Sequence, residues 1–114
     1  VPRRPRADPD SPDALGHGTI TIAADDPGTL YLNGEIDLNA TRRFRTTYSP
    51  EDLRAVDLVD LSGVSFADSG VISVVAVVLL ERPADRPRLR IRGATEMLTF
   101  VLGVSGISPQ VDFE

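Results

Sequence analysis

Polar and apolar residues alternate along Thr19-Ile20-Thr21-Ile22-Ala23, the pattern of a strand with one buried face. Asp25-Asp26-Pro27-Gly28 then reads as a turn, because Pro presets φ and Gly tolerates positive φ. Thr29 to Ile36 resumes as a second strand, so residues 19–36 are predicted to form a hairpin. Asp37-Leu38-Asn39-Ala40 offers capping side chains for a short, Arg-rich helix over Thr41 to Tyr48, whose apolar positions are Ala40, Phe44 and Tyr48. Ser49-Pro50-Glu51-Asp52 is either a loop or a further helical turn. Residues 55–61 predict a strand, and Ser62 to Asp68 a loop or strand edge.

The next segment, Ser69 to Arg82, is apolar almost throughout, so periodicity does not separate strand from helix. Its valines favour a strand, whereas its length and the capping ability of Ser69 favour a buried helix. A helix is the preferred reading, ended by Pro83 and Pro87. Arg88 to Arg92 alternates cleanly as a strand. Thr95 to Leu102 repeats apolar residues at helical spacing, with Gly103 placed for the stop. Val111 to Glu114 predicts a short last strand. The order β-β-α-β-α-β-α, with a final β, predicts an α/β fold: a mixed four- to five-stranded sheet packed with three or more helices.

Composition changes this picture mainly by exclusion. The chain has 114 residues, 41% hydrophobic and 25% charged, which suits one domain over residues 19–114. Residues 1–18 hold four Pro and few apolar side chains, and are expected to form a tail. Arg3-Arg4-Pro5-Arg6 is then either a docking patch or merely solvated. The absence of Cys removes disulfides and thiolate metal sites, and the single His17 removes a multi-histidine centre, so neither cofactor nor metal is expected. A formal charge of −5 disfavours contact with nucleic acid and with anionic membranes. The longest apolar run, Val74 to Leu80, is too short to span a bilayer. No signal-peptide pattern opens the chain, and a cytoplasmic location is expected.

The chemically informative stretch is Asp60-Leu61-Ser62-Gly63-Val64-Ser65-Phe66-Ala67-Asp68-Ser69: a strand, a turn, and a Ser at the mouth of an apolar helix. Backbone N–H groups and the helix dipole favour negative charge at such a position. A phosphate there adds about −1.5 to −2 charges beside Asp68. At about 6 Å the repulsion between them is roughly 1 to 6 kcal/mol across plausible dielectrics. That is enough to break a protein contact without refolding the domain. A plain helix cap is the alternative reading of Ser69.

With Gly34-Glu35-Ile36-Asp37 after the second strand, and Leu98 to Ile107 near the end, this stretch resembles the STAS domain family. That family includes bacterial anti-sigma factor antagonists and the cytoplasmic tails of sulphate transporters. The resemblance implies that Ser69 is a phosphorylation site. It implies a partner that is both anti-sigma factor and serine kinase, with ATP bound by the partner and a sigma factor freed when the antagonist binds. Asp37 and Asp68 would form an acidic rim, and Gly70, Ile72 and Ser73 would lie at or near the docking face. One departure stands out: Val71 occupies the usual place of a Gly, where its β-branched side chain is expected to crowd the partner-facing first turn. A non-phosphorylated STAS scaffold or sensor module is the alternative.

An enzymatic reading is weaker. Asp68-Ser69-Gly70 is not a Gly-x-Ser-x-Gly elbow, and the only His lies in the tail. A carboxylate pair of Asp37 and Asp68 is conceivable, but no residue pattern marks a substrate pocket. No catalytic residue is therefore expected.

Overall fold

A computed structural model describes residues 18–67 and 70–114, and of Phe66 the backbone alone. The elements in chain order are β1 (Thr19–Ala23), β2 (Asp26–Ile36), α1 (Leu38–Thr47), α2 (Pro50–Arg54), β3 (Leu58–Ala67), α3 (Gly70–Glu81), β4 (Leu89–Arg92), α4 (Glu96–Val104) and β5 (Val111–Phe113). A single turn of 3-10 helix, Ser108–Gln110, precedes β5. The five strands lie in the order β1-β2-β3-β4-β5. β1 runs antiparallel to β2, and every later pair is parallel. The fold is thus the expected α/β arrangement, with all five strands in one mixed sheet.

Each parallel strand lies one place further along the sheet than the last. Right-handed crossovers taken repeatedly in one direction put every connecting helix on the same face. The strands record this as alternation. Leu89 and Ile91 are buried, while Arg90 and Arg92 between them are exposed. The covered face contributes Leu30, Leu32, Val59, Leu61, Ile91 and Val111 to the core, which α1 joins through Ala40 and Phe44. The bare face carries ion pairs instead. Arg92 reaches Asp60 at 3.9 Å and Glu114 at 3.6 Å, Arg90 reaches Glu114 at 3.0 Å, and Arg88 reaches Asp112 at 3.6 Å.

Four boundaries differ from the sequence reading, each for a local reason. The hairpin turns at Ala24-Asp25, not at Asp26-Pro27-Gly28, which belong to β2. A register shift between Ile22 and Ala23 absorbs those residues, so Pro27 has no ladder bond to donate there. Gly28 still serves the sheet, its carbonyl accepting from the Asp57 N–H at 2.8 Å. Residues 55–57 are not strand, because Ala55 caps α2; β3 starts later and runs on through the stretch left open as a loop or strand edge. Gly103 lies inside α4, and the helix stops at Gly106, whose φ is 83°. There the Gly106 N–H donates to the Gly103 carbonyl and the Ile107 N–H to the Leu102 carbonyl, the Schellman pattern, with Ile107 and Leu102 both buried. Finally, Gly18 is no part of a solvated tail: it is buried, and its N–H donates to the Glu35 carbonyl at 2.8 Å.

Candidate functional site

In an open parallel sheet the crevice beyond the carboxyl ends of the strands is where loops and helix N-termini converge. Here that edge is shaped by the unequal lengths of β3 and β4. β4 follows β3 only as far as Asp60↔Arg92, whereas β3 continues along β2 to Ile36↔Ala67. The overhang is not straight. Its register against β2 shifts between Tyr31 and Asn33, and again between Gly34 and Glu35. Ser62 is held in the first shift by its own N–H, which donates to Asp60 Oδ1 at 2.9 Å, and by its hydroxyl, which donates to the same oxygen. Gly34, with φ 76°, supplies the left-handed backbone beside the second.

The Ile36↔Ala67 pair decides the geometry of the site. It aligns the last residues of β2 and β3, so the chain leaves both strands at neighbouring positions, β2 through Asp37. α1 then starts at Leu38 and α3 at Gly70, and the two helices pack against each other. Two helix N-termini, each with the partial positive charge of its dipole, therefore stand side by side at one edge.

Asp37 works as the N-cap of α1. Its backbone is extended, its Oδ1 accepts from the Ala40 N–H at 2.9 Å, and its carbonyl accepts from the N–H and hydroxyl of Thr41, each at 3.0 Å. The sequence reading left the cap and partner roles of Asp37 open; the cap is present. Asp68 and Ser69 lie outside the described residues. Gly70, the first residue of α3, is buried and offers no side chain to a partner. Ile72 is partly buried against the core, and Ser73 is exposed.

Val71 corrects one expectation. It is 1% exposed and joins Val74, Val75 and Val78 in the stripe that α3 buries against the sheet. Its β-branched side chain packs into the core and does not crowd an accessible first turn. The i, i+3, i+4, i+7 spacing of these four valines carries that information, but the apolar residues on the other faces of α3 mask it.

The opposite edge of the sheet carries charge around an open cavity of about 470 Å³, lined by Asp57, Arg82, Arg86, Arg88, Arg90 and Asp112. Arg82, with a side chain 6% exposed, donates from Nη1 to the Val56 carbonyl at 2.5 Å and Asp57 Oδ1 at 3.1 Å, and from Nε to the Pro87 carbonyl at 2.9 Å. Arg86 reaches the same Asp57 oxygen at 2.6 Å. These contacts tie the end of α3 to the loop before β4. Among the described residues there is no cluster of three or more His, Asp or Glu able to hold a metal, and no helix is long and apolar enough to cross a membrane.

Residues 21–109 match the family described as "Mlab, STAS domain". The chain belongs to the STAS domain family. Solved structures similar to it include the anti-sigma factor antagonist SpoIIAA in its unphosphorylated form, with a TM-score of 0.61 and 19% identity over 86% of this chain and 88% of that one. The Bacillus cell fate determinant SpoIIAA in the phosphorylated form is also similar, with a TM-score of 0.54 and 20% identity over 86% of this chain and 91% of that one. At these identities the likeness is one of fold. No curated protein matches the chain.

Proposed function

We propose that this STAS domain is a cytoplasmic anti-sigma factor antagonist whose binding is switched by phosphorylation of Ser69. In the unmodified state it sequesters an anti-sigma factor and frees the sigma factor. The same partner, a serine kinase, holds ATP and transfers its γ-phosphoryl group to the Ser69 hydroxyl. ADP leaves, the hydroxyl proton is lost, and the complex separates. The domain itself supplies no catalysis.

The observation that carries this reading is the Ile36↔Ala67 pairing. It brings the ends of β2 and β3 together, so Asp37 stands near the exit of β3 and the start of α3, which supports this reading. A phosphate on Ser69 would then meet Asp68 and the Asp37 rim from within the domain, and a newly repelled or desolvated surface from the partner side. Ser73 stands four residues after Ser69 and is exposed, which suits a docking face running along that side of α3. The burial of Val71 removes the one side chain that argued against close approach. SpoIIAA, solved in both phosphorylated and unphosphorylated forms, is a relative in fold for which both states exist.

The test is incubation with candidate anti-sigma factor kinases and ATP, followed by mass mapping of the added phosphate. Ser69→Ala is expected to bind constitutively and Ser69→Asp to lose at least about tenfold in affinity, or 1.4 kcal/mol. Equal affinities for the two variants, with no phosphate on Ser69, would replace the switch by a scaffold.

A further inference from the structure

We propose that the exposed face of α4 is a self-association surface on which a second copy of this chain docks about a two-fold axis. The proposal is independent of the reading of Ser69. Met97 is 72% exposed, Phe100 69% and Val104 70%, while Leu98 and Leu102 on the other side of the helix are buried. Positions i, i+3 and i+7 fall on one stripe of a helix. α4 thus has two apolar faces, and one of them is left uncovered among the described residues.

Charge and spacing identify the occupant as a second copy. The chain carries −5 overall, so two copies repel over most of their surfaces. The α4 stripe itself is free of charge: the only ionisable residue of the helix is Glu96 in its first turn. This is a face where two acidic molecules can meet without opposing carboxylates. The stripe is also nearly symmetric about its centre. Phe100 lies three residues after Met97 and four before Val104, rises of roughly 4.5 and 6 Å. A two-fold axis at Phe100 therefore sets the two phenyl rings together and brings Met97 of each copy against Val104 of the other. Such reciprocal matching is what an isologous interface requires.

The exposed apolar area of the three side chains is on the order of 400 Å² per copy, a patch large enough to mark an interaction site. A standard stable interface buries about 800 Å² per partner. The dimer is accordingly weak and transient, at the small end of protein–protein interfaces. Added salt screens the repulsion between copies, so this apolar contact tightens with ionic strength, the reverse of an ion-paired interface.

Sedimentation velocity of the full chain from about 10 μM to 1 mM, at low and high salt, reads this directly. The expected result is a monomer–dimer equilibrium strengthened by salt. Phe100→Glu, Met97→Lys and Val104→Glu should each weaken it by about tenfold or more, with unchanged unfolding midpoints because all three sites are exposed. An equimolar mixture of Met97→Lys and Val104→Glu chains should associate again, since the axis sets Lys against Glu at one contact and Met97 against Val104 at the other. Chains that stay monomeric at about 1 mM overturn the proposal, including chains that bind neutral phospholipid vesicles or another protein through this face. So does a dimer indifferent to Phe100→Glu, or a mixture that fails to recover.

Discussion

Asp37 carries a helix cap and, in the function proposed, a partner contact, and two substitutions divide them. Its Oδ1 accepts from the Ala40 N–H at 2.9 Å, satisfying one donor that α1 cannot satisfy internally. Asp37→Ala removes this cap and should cost about 1 kcal/mol, within a range of roughly 0.5 to 2. For a domain of this size that lowers the melting temperature by about 4–6 °C. Asp37→Asn keeps the accepting oxygen and loses the carboxylate charge, worth about 0.3–1 kcal/mol at a helix N-terminus. Urea unfolding should therefore rank native, Asn and Ala in descending midpoint at constant slope. Titration with the proposed anti-sigma factor kinase should give a different order. A partner reading the carboxylate is weakened by Asn and Ala alike, about tenfold if one charge-assisted hydrogen bond is lost. Equal unfolding midpoints for Asn and Ala would refute the capping argument. Unchanged affinity in both variants would remove Asp37 from the partner surface and leave it a cap alone.

Three further outcomes test the frame around the site. Arg82→Ala strands the buried Val56 carbonyl and the Pro87 carbonyl and leaves Asp57 with Arg86, so it should lower stability by about 2 kcal/mol in urea titration, and Arg82→Lys should recover little because an ammonium lacks the planar fork. Gly93→Ala combines a φ of 75° with a Cβ placed 2.7 Å from the Ser62 backbone, whereas Gly106→Ala has φ 83° and open space; Ala at 93 should cost at least about 2 kcal/mol and Ala at 106 about 1, and equal costs would disprove the close approach of Gly93 to β3. The Tyr31 phenol is held above its ordinary value of 10, by burial first and then by Asp26 and Asp60, so the unfolded chain loses this proton before the folded one. Its contribution to stability is present below about pH 10 and is lost as pH rises through the folded value; Tyr31→Phe should flatten that alkaline decline relative to the native chain.

Strand and helix identities were legible wherever one face of an element meets solvent. Arg88 to Arg92 could be read at once, because its arginines point to the bare side of the sheet and its Leu89 and Ile91 to the core. That bareness is itself a product of topology: with every helix on one face, even the parallel strands alternate as antiparallel ones do. α3 was harder for the opposite reason. It is packed on most of its circumference, with Ile72, Ala76, Val77 and Leu79 partly buried outside the main valine stripe, so hydrophobicity alone gave no period. Boundaries failed where a ladder accommodates extra residues. The shift at Ile22/Ala23 takes Pro27 and Gly28 into β2, and those in β3 turn the stretch around Ser62 and Gly63 into strand, although each composition suggests a turn.

The site shows the same division between what is local and what depends on pairing. Asp37 can be recognised as a cap from its place before a helix, since that interaction closes within three residues. That Asp37 and the end of β3 at Ala67 share an edge is not written in either motif. It follows from parallel pairing of two strands separated by two helices, and from a double shift that lets β3 run seven residues past the end of its match with β4. Removing one shift would move the exit of β3 by one residue relative to β2 and turn its side chains to the other face. The distance between Asp37 and the start of α3 is thus governed by backbone irregularities in β3, some of them far from the helix N-termini themselves. The Asp60–Ser62 contacts that hold the first shift are in this sense part of the site's construction, although they face the opposite end of the overhang.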